Sequence, residues 1–320
     1  MLNMPDTIEV QVVDRTVGAD SVIQLDLKRT DGKPLPPFEP GAHVDVHLAN
    51  GLIRQYSLCN FQPEPDTYEI AIGLAELSRG GSSYMHDKVA TGDIFQISVP
   101  RNNFVLVPDA STYSFVAGGI GVTPILSMIR WCEMSHKNWQ LLYTVRSRKR
   151  AAYLEQLLAF GGDRIHLHFD DEKEGYADVK QYLARLREGD HVYCCGPEPL
   201  MNAVEQATLD HPRNAVHFER FTAPASDAST PDTAFVVRLK RSNMDVPVPD
   251  DKSILESLEA AGIALPYSCR EGLCRSCETT VCSGVPDHRD YVLSDEERES
   301  NTTMMICVSR SKSGILELDI

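Results

Sequence analysis

Three cysteines within nine residues, in the segment CREGLCRSC at positions 269 to 277, constrain the fold more than any other feature of the sequence. Cys269, Cys274 and Cys277 are followed by Cys307, and the full spacing is C-x4-C-x2-C-x29-C. This is the spacing of a plant-type [2Fe–2S] site, which needs four thiolate ligands. The small residues Gly272 and Ser276 would let backbone N–H groups approach the cluster sulfurs. The sequence therefore predicts an iron–sulfur domain at the C-terminal end, with all four thiols as metal ligands.

A structural zinc site is the alternative for these cysteines. Such sites usually combine two C-x2-C pairs, or cysteines with histidines, whereas this segment has one pair only. Cys282, on the predicted strand TTVCSG, is expected to pack rather than to bind metal. The chain has nine cysteines, an odd number, and their spread does not resemble a secreted disulfide framework. We therefore expect reduced thiols and a cytoplasmic protein.

Composition and charge narrow the class of partner. The 320 residues are 42% hydrophobic and 24% charged, which is ordinary for a globular protein of two or three domains. The formal net charge of -15 argues against nucleic acid or an anionic membrane as partner. The N-terminus lacks the features of a signal peptide, and the most apolar run, FVAGGIGVTPILSMI, is too short to span a bilayer.

The pattern of predicted elements changes twice along the chain. Residues 1–106 contain short alternating strands separated by turn signals, which predicts an antiparallel barrel or sandwich. In residues 107–222 strands alternate with helices, which predicts a parallel sheet covered on both faces. Residues 223–232 have the composition of a linker. Residues 233–320 predict a small α+β module in which Ser253 caps a helix.

Four upstream segments have the residue types that bind phosphates and aromatic rings. In IRQYSL, Arg54 and Tyr56 share one strand face, beside Ser57. SRGGSSYMHD, residues 78 to 87, places two glycines and two serines before a predicted helix, a favourable anion site. AGGIGVTPILSM, residues 117 to 128, joins a strand to a helix through a glycine-rich turn that admits a diphosphate. YCCGPEPLM forms a second such turn, although an ordinary structural turn would also explain each segment taken alone.

These segments together resemble the phthalate dioxygenase reductase family, the iron–sulfur flavoproteins that supply electrons to Rieske oxygenases. The cysteine segment and MMICVSRSKSGILELDI resemble the family's C-terminal ferredoxin domain. IRQYSL resembles its R-x-Y-S flavin motif, and AGGIGVTP its G-G-x-G-x-T-P nicotinamide segment. The resemblance implies an antiparallel β-barrel flavin domain, an α/β parallel-sheet nucleotide domain and a β-grasp plant-type ferredoxin domain.

The resemblance also implies the site residues. FMN is expected to be bound by Arg54, Gln55, Tyr56, Ser57, Ile72, Gly80, Gly81, Ser82 and Ser83. The NADH site is expected to include Gly118, Gly119, Gly121, Thr123, Arg146, Asp170, Cys195, Gly196, Pro197 and Phe221. The residues expected to act at the reacting rings are Ser57, Thr123 and Cys195. FMN rather than FAD follows from the position of the ferredoxin domain at the C-terminus.

The choice of NADH over NADPH depends on Asp170 or Asp171, which follow IHLHF. A carboxylate there accepts a hydrogen bond from the ribose 2′-hydroxyl and repels a 2′-phosphate. A solvated acidic turn would give the same sequence. Arg146, after LLYTV, is expected at the same adenine-ribose end.

The predicted function is that of a reductase component. It would take hydride from NADH to FMN and pass single electrons through the [2Fe–2S] cluster to a Rieske-type aromatic dioxygenase or demethylase. A cytochrome P450 or another monooxygenase as acceptor, or a redox sensor without catalytic activity, are the alternatives. Acidic residues outnumber basic ones in the cluster domain, which favours either a basic docking partner or simple solubility.

Overall fold

The computed structural model describes residues 7–76, 78–173, 175–224 and 232–320, which form two compact units. The first unit ends at Arg220 and the second begins at Phe221. The predicted linker at 223–232 lies mostly outside the described residues. The domain boundaries drawn from the sequence therefore stay predictions.

The first part of the first unit is a six-stranded antiparallel β-barrel. Its strands follow the order β4-β3-β6-β1-β2-β5, and a bridge between Leu58 and Ile70 joins the two ends of the sheet. Exposed and buried side chains alternate from Thr7 to Val12 because successive strand residues point to opposite faces. The elements are β1 (Thr7–Ala19), β2 (Val22–Arg29), β3 (His43–His47), β4 (Ile53–Ser57), β5 (Tyr68–Gly73), α1 (Gly81–Lys88) and β6 (Ile94–Ser98).

The rest of the first unit is a five-stranded sheet in the order β11-β10-β7-β8-β9, and all its pairs are parallel. Buried tyrosine and phenylalanine rings fill one of its faces. Since the strands are parallel, their carboxyl ends lie along one edge, where α/β proteins bind nucleotides. The elements are β7 (Thr112–Gly118), α2 (Val122–Met134), β8 (Trp139–Val145), α3 (Leu154–Ala159), β9 (Ile165–Phe169), α4 (Val179–Leu183), β10 (Asp190–Cys195), α5 (Glu198–Ala207) and β11 (Val216–Glu219).

Helix α2 joins the barrel to the parallel sheet. The backbone N–H of Gly41 donates to the Ser127 hydroxyl over 3.0 Å. Arg130 on the same helix forms an ion pair with Glu69 of β5 at 3.3 Å. These contacts hold helix α2 against the barrel.

The second unit is an α+β domain with its own core. Its main sheet has the order β13-β12-β18-β14-β16, in which only β12 and β18 are parallel. Ser253 caps α6 as predicted, and Glu256 completes a capping box. The elements are β12 (Phe235–Leu239), β13 (Met244–Val248), α6 (Ile254–Ala260), β14 (Glu278–Ser283), β15 (Pro286–Asp287), α7 (Asp295–Ser300), β16 (Thr303–Met305), β17 (Arg310–Ser311) and β18 (Ile315–Leu318).

No helix among the described residues has both the length and the apolar character needed to cross a bilayer.

Candidate cofactor-binding sites

The four predicted cluster ligands meet between the loop that follows α6 and the turn that follows β16. The thiols of Cys274 and Cys307 lie close enough to the Cys269 thiol to shift its pKa. The Cys307 thiol lies near Cys277, which raises the pKa of Cys307. The structure thus brings together all four thiols named from the sequence, although twenty-nine residues separate Cys277 from Cys307.

Backbone amides of the same loop point at these sulfurs. The N–H groups of Glu271 and Leu273 donate to the Cys269 sulfur over 3.3 and 3.4 Å. The Cys269 N–H lies 3.5 Å from the sulfur of Cys274. Such N–H donors stabilise thiolate charge and tune an iron–sulfur centre. The loop therefore offers both the ligands and the donors of a cluster site.

Gly272 allows this loop to form. Its φ is +70°, and a Cβ atom there would lie 2.7 Å from a Val308 methyl and 3.0 Å from the Asp290 Cα. The Gly272 carbonyl accepts the Tyr291 N–H over 3.0 Å. The Asp290 carboxylate accepts the N–H groups of Val292 and Leu293. Asp290 thus packs against Gly272 from a segment that its own hydrogen bonds hold in place.

The two arginines of the cysteine segment are tied to the domain rather than to the thiols. The Arg270 guanidinium lies 3.9 Å from the Tyr267 ring centre and binds Glu259 at 2.5 Å. Arg275 binds Glu297 at 2.5 Å. Both have a φ of +58°, so they form tight turns on either side of Gly272.

The donor set fits a [2Fe–2S] cluster. Hydrogen bonding with Cys269, together with burial, raises the pKa of the Cys274 thiol above its usual value. In a bound cluster, iron would take the place of the protons that such thiols retain. Cys282 lies on β14, where its sulfur is 3.7 Å from the Lys240 ammonium, as expected for a cysteine outside the ligand set.

In the barrel, Arg54 lies over the start of helix α1. A Cβ atom on Gly81 would come within 2.4 Å of the Arg54 Nε, and Arg54 Nη2 donates to the Arg79 carbonyl over 3.1 Å. The sequence placed two glycines and two serines before the helix. That boundary is wrong, because α1 begins at Gly81 and Ser82 and Ser83 belong to its first turn. The helix N-terminus and a guanidinium therefore lie together, a favourable arrangement for a phosphate.

Ser78 organises this turn, a role that the sequence reasoning missed. Its hydroxyl accepts the N–H groups of Gly80 and Ser83 over 3.2 and 3.3 Å. It also accepts the Ser82 hydroxyl over 3.0 Å. The only sequence signal for Ser78 is its place as the first serine of SRGGSS.

The other predicted flavin residues occupy different environments. Tyr56 is partly buried and packs against the barrel core, and burial raises its pKa. Gln55 points away from Arg54 and Tyr56 and donates to Asp45 over 3.1 Å. Ser57 and Ile72 are buried, so the Ile72 side chain belongs to the barrel interior.

The two glycine-rich nucleotide segments contact each other directly. A Cβ atom on Gly121 would lie 2.2 Å from the Cys195 carbonyl oxygen, and one on Gly196 would lie 2.9 Å from the Gly118 Cα. A Cβ atom on Gly118 would meet the Pro197 ring at 2.4 Å. The ends of β7 and β10 therefore form one site edge. Thr123 is buried in the first turn of α2, where its hydroxyl donates to the Ile120 carbonyl over 2.9 Å.

Glu219 lies beside Cys195, and sequence reasoning did not identify it. The two residues are paired across β10 and β11. Burial raises the pKa of Glu219 to about 8, and its Oε2 atom has no solvent contact and no hydrogen-bond partner among the described residues. Burial also raises the pKa of the Cys195 thiol. Burial thus favours the uncharged forms of the Cys195 thiol and the Glu219 carboxyl at the strand ends.

The predicted adenine-ribose residues meet at the ends of β8 and β9. The Asp170 N–H donates to the Val145 carbonyl and the Asp171 N–H to the Arg146 carbonyl, both over 3.1 Å. The Asp170 carboxylate lies 3.5 Å from the His168 ring nitrogen. Phe221 is exposed and belongs to the second unit, so its approach to a flavin stays a prediction.

Comparisons with known proteins agree with this architecture. Residues 237–312 match the 2Fe-2S iron-sulfur cluster binding domain family, and residues 98–215 match the N-terminal domain of dimethylamine monooxygenase subunit DmmA-like proteins. The chain is 43% identical to phenoxybenzoate dioxygenase subunit beta of Ectopseudomonas oleovorans, over 95% of this chain and 94% of that protein.

Solved structures that are similar over 98% of this chain include the following two. The solved structure of phthalate dioxygenase reductase has a TM-score of 0.73 and 38% identity, and 98% of its length is covered. An intact type IV self-sufficient cytochrome P450 monooxygenase has a TM-score of 0.90 and 36% identity, with 41% of its length covered.

A flavin-type barrel, a parallel nucleotide-binding sheet and a 2Fe–2S domain in one chain define an oxidoreductase, the reductase component of a multicomponent oxygenase. Within this class, the chain belongs to the phthalate dioxygenase reductase family. The fold class and the family predicted from the sequence are both confirmed.

Proposed function

We propose that this reductase takes a hydride from NADH to FMN and passes single electrons through a [2Fe–2S] cluster to a Rieske-type oxygenase acting on an aromatic compound. The observation that carries the proposal is the convergence of Cys269, Cys274, Cys277 and Cys307 beside loop amides. When bound, FMN accepts electrons in pairs and releases them singly, and the cluster carries one electron at a time.

The chain's own residues bind and align these groups. Arg54 and the first turn of α1 bind the FMN phosphate. Gly118, Gly121 and Gly196 let the backbone approach the nucleotide diphosphate. Such alignment of two rings is the main catalytic requirement for hydride transfer, and it needs no acid–base triad.

The test is a combined cofactor and turnover assay. Protein purified without oxygen is analysed for iron, labile sulfide and extracted flavin, and reduction of a dye is followed with NADH and with NADPH. We expect the extracted flavin to be FMN and the protein to contain about two irons per chain, as in any [2Fe–2S] centre. We also expect faster dye reduction with NADH than with NADPH. Absence of flavin, or zinc in place of iron, would overturn the proposal.

Cysteine variants separate the cluster from the flavin. Cys277→Ser is expected to abolish cluster absorbance and electron delivery to an oxygenase while flavin reduction by NADH persists. Cys282→Ser is the matched control and is expected to retain iron, because its sulfur contacts Lys240. Equal iron loss in the two variants would contradict the ligand assignment.

A cytochrome P450 is the second candidate acceptor, since a self-sufficient P450 contains a region similar to this whole chain. Reconstitution with a purified Rieske oxygenase and with a P450 distinguishes the two by their NADH-dependent product formation. We also propose a cytoplasmic location, supported by nine cysteines of which none forms a disulfide. Fractionation of cells that express the protein tests this location.

A further inference from the structure

The adenine-ribose end of the nucleotide site carries an unusual concentration of positive charge. Arg146, Arg148, Lys149 and Arg150 directly follow β8. An arginine near the strand end of a dinucleotide-binding fold accommodates the 2′-phosphate of NADPH, whereas a carboxylate binds the 2′-hydroxyl of NADH. Asp170 lies at the neighbouring strand end. This edge of the sheet therefore carries both the arginines expected for NADPH binding and the carboxylate expected for NADH binding.

Acidic side chains form ion pairs with the arginines of this group. Glu76, from the barrel loop between β5 and α1, forms an ion pair with Arg146, and its carboxylate lies 4.0 Å from Arg150. Glu172 lies 3.3 Å from Arg148, whose guanidinium also packs 4.4 Å from the Phe169 ring centre. The barrel thus contributes a charged residue to an edge built mainly from the parallel sheet.

We propose that Glu76, together with Asp170, makes the reductase select NADH by occupying Arg146 and Arg150 and repelling a 2′-phosphate. This inference rests on the proposed function, because it concerns the same nucleotide site. A 2′-phosphate carries about two negative charges and would have to displace Glu76 from Arg146. A 2′-hydroxyl is uncharged and does not compete for the guanidinium. The acidic residue therefore discriminates against NADPH without contacting the reacting ring.

The exposure of the Glu76–Arg146 ion pair sets the size of the expected change in nucleotide preference. Arg146 and Glu76 are about two-thirds exposed, at 65% and 67% of their side-chain surface. Ion pairs in such positions are screened by water and salt. We therefore expect Glu76→Gln to raise the ratio of kcat/KM for NADPH to that for NADH by about fivefold. The change should shrink at high ionic strength.

The experiment compares full-length protein carrying Glu76→Gln, Arg146→Gln, or both, with Glu64→Gln as a control at an exposed barrel position. Dye reduction is measured with NADH and NADPH. Calorimetry gives, for the same proteins, the affinity for 2′-phosphoadenosine 5′-phosphate and for AMP. We expect Glu76→Gln to strengthen binding of the 2′-phosphorylated probe about fivefold, and to have no such effect when Arg146 is replaced.

Three results would overturn the inference about Glu76, and a fourth would overturn the proposed function. An unchanged nucleotide ratio and unchanged probe affinity in Glu76→Gln would overturn the inference, and so would the same gain in the Arg146→Gln background. A similar gain in Glu64→Gln would reduce the effect to net charge and would also overturn it. If the unmodified protein is reduced by neither nucleotide, the proposed function fails instead, and the two failures are thereby distinguished.

Discussion

Only glycine fits at positions 118, 121 and 196, because the opposing segment occupies the space that a Cβ atom would take. For Gly121 the obstacle is the Cys195 carbonyl, which belongs to the backbone and does not move aside like a flexible side chain. Close contact of two backbones thus explains why both nucleotide segments contain glycine at these positions.

Gly121→Ala is expected to destabilise the protein by roughly 1–3 kcal/mol and to raise the KM for NADH, because the α2 start must move away from β10. Thermal unfolding and steady-state kinetics measure the two effects. Gly162→Ala is the control, since a Cβ atom there meets nothing within 4 Å. Equal destabilisation by the two substitutions would contradict the role assigned to the Cys195 contact.

The Glu219 carboxyl makes a pH-dependent contribution to stability. Its pKa is about 8 in the folded protein, against 4.5 for an unperturbed glutamate. Between these values the unfolded chain releases the proton and the folded chain retains it. Folding therefore becomes less favourable as pH rises through this window, and the effect is absent below pH 4.5.

Glu219→Gln is expected to flatten this dependence and to stabilise the protein most at alkaline pH. Urea unfolding from about pH 7 to pH 8 tests it, because most of the titration of the neighbouring His217, between its folded pKa of about 4 and the unperturbed 6.5, lies below this range. If the variant lost stability in parallel with the unmodified protein across this range, the carboxyl would not be the titrating group.

At the scale of elements, three carboxylates form a row across neighbouring barrel strands. Asp26 on β2 is the cross-strand partner of both Asp14 on β1 and Glu69 on β5. Burial, Glu69 and Asp14 raise the pKa of Asp26, while Arg130 opposes them. Like charges in directly opposed positions destabilise a sheet.

Asp26→Asn is therefore expected to stabilise the protein at neutral pH by roughly 0.2–1 kcal/mol, the range for a cross-strand pair. Chemical denaturation measures the gain. It should disappear below pH 3.8, where the aspartate is protonated in both states. Glu64→Gln serves as the control, and an equal gain in that variant would assign the effect to net charge alone.

At the scale of the whole molecule, the two compact units have separate hydrophobic cores. The core around Phe235, Leu258 and Leu316 shares no residue with the barrel and nucleotide cores. A unit with its own core has the main requirement for folding alone.

A protein containing residues 1–222 is thus expected to fold, bind flavin and be reduced by NADH, but to deliver no electrons to an oxygenase. Circular dichroism, flavin extraction and coupled turnover test the three expectations. If this fragment were insoluble or failed to bind flavin, the first unit would depend on the second for its stability.

The sequence by itself determined the features that depend on local spacing. The cysteine spacing, the glycine-rich turns and the alternation of β1 each depend on neighbours a few residues apart, and the confirmed fold class and family follow from them. The capping box at Ser253 is local in the same way. Even Cys307, distant in sequence, was recognisable because its spacing completes a known pattern.

Only the tertiary structure decided which distant side chains meet. Glu76 reaches Arg146, Glu219 lies beside Cys195, and β6 lies between β3 and β1. These relations depend on strand register and burial between segments up to dozens of residues apart, and no local pattern encodes them. The pKa of a side chain depends on its burial and on its charged neighbours, and only the folded structure supplies these.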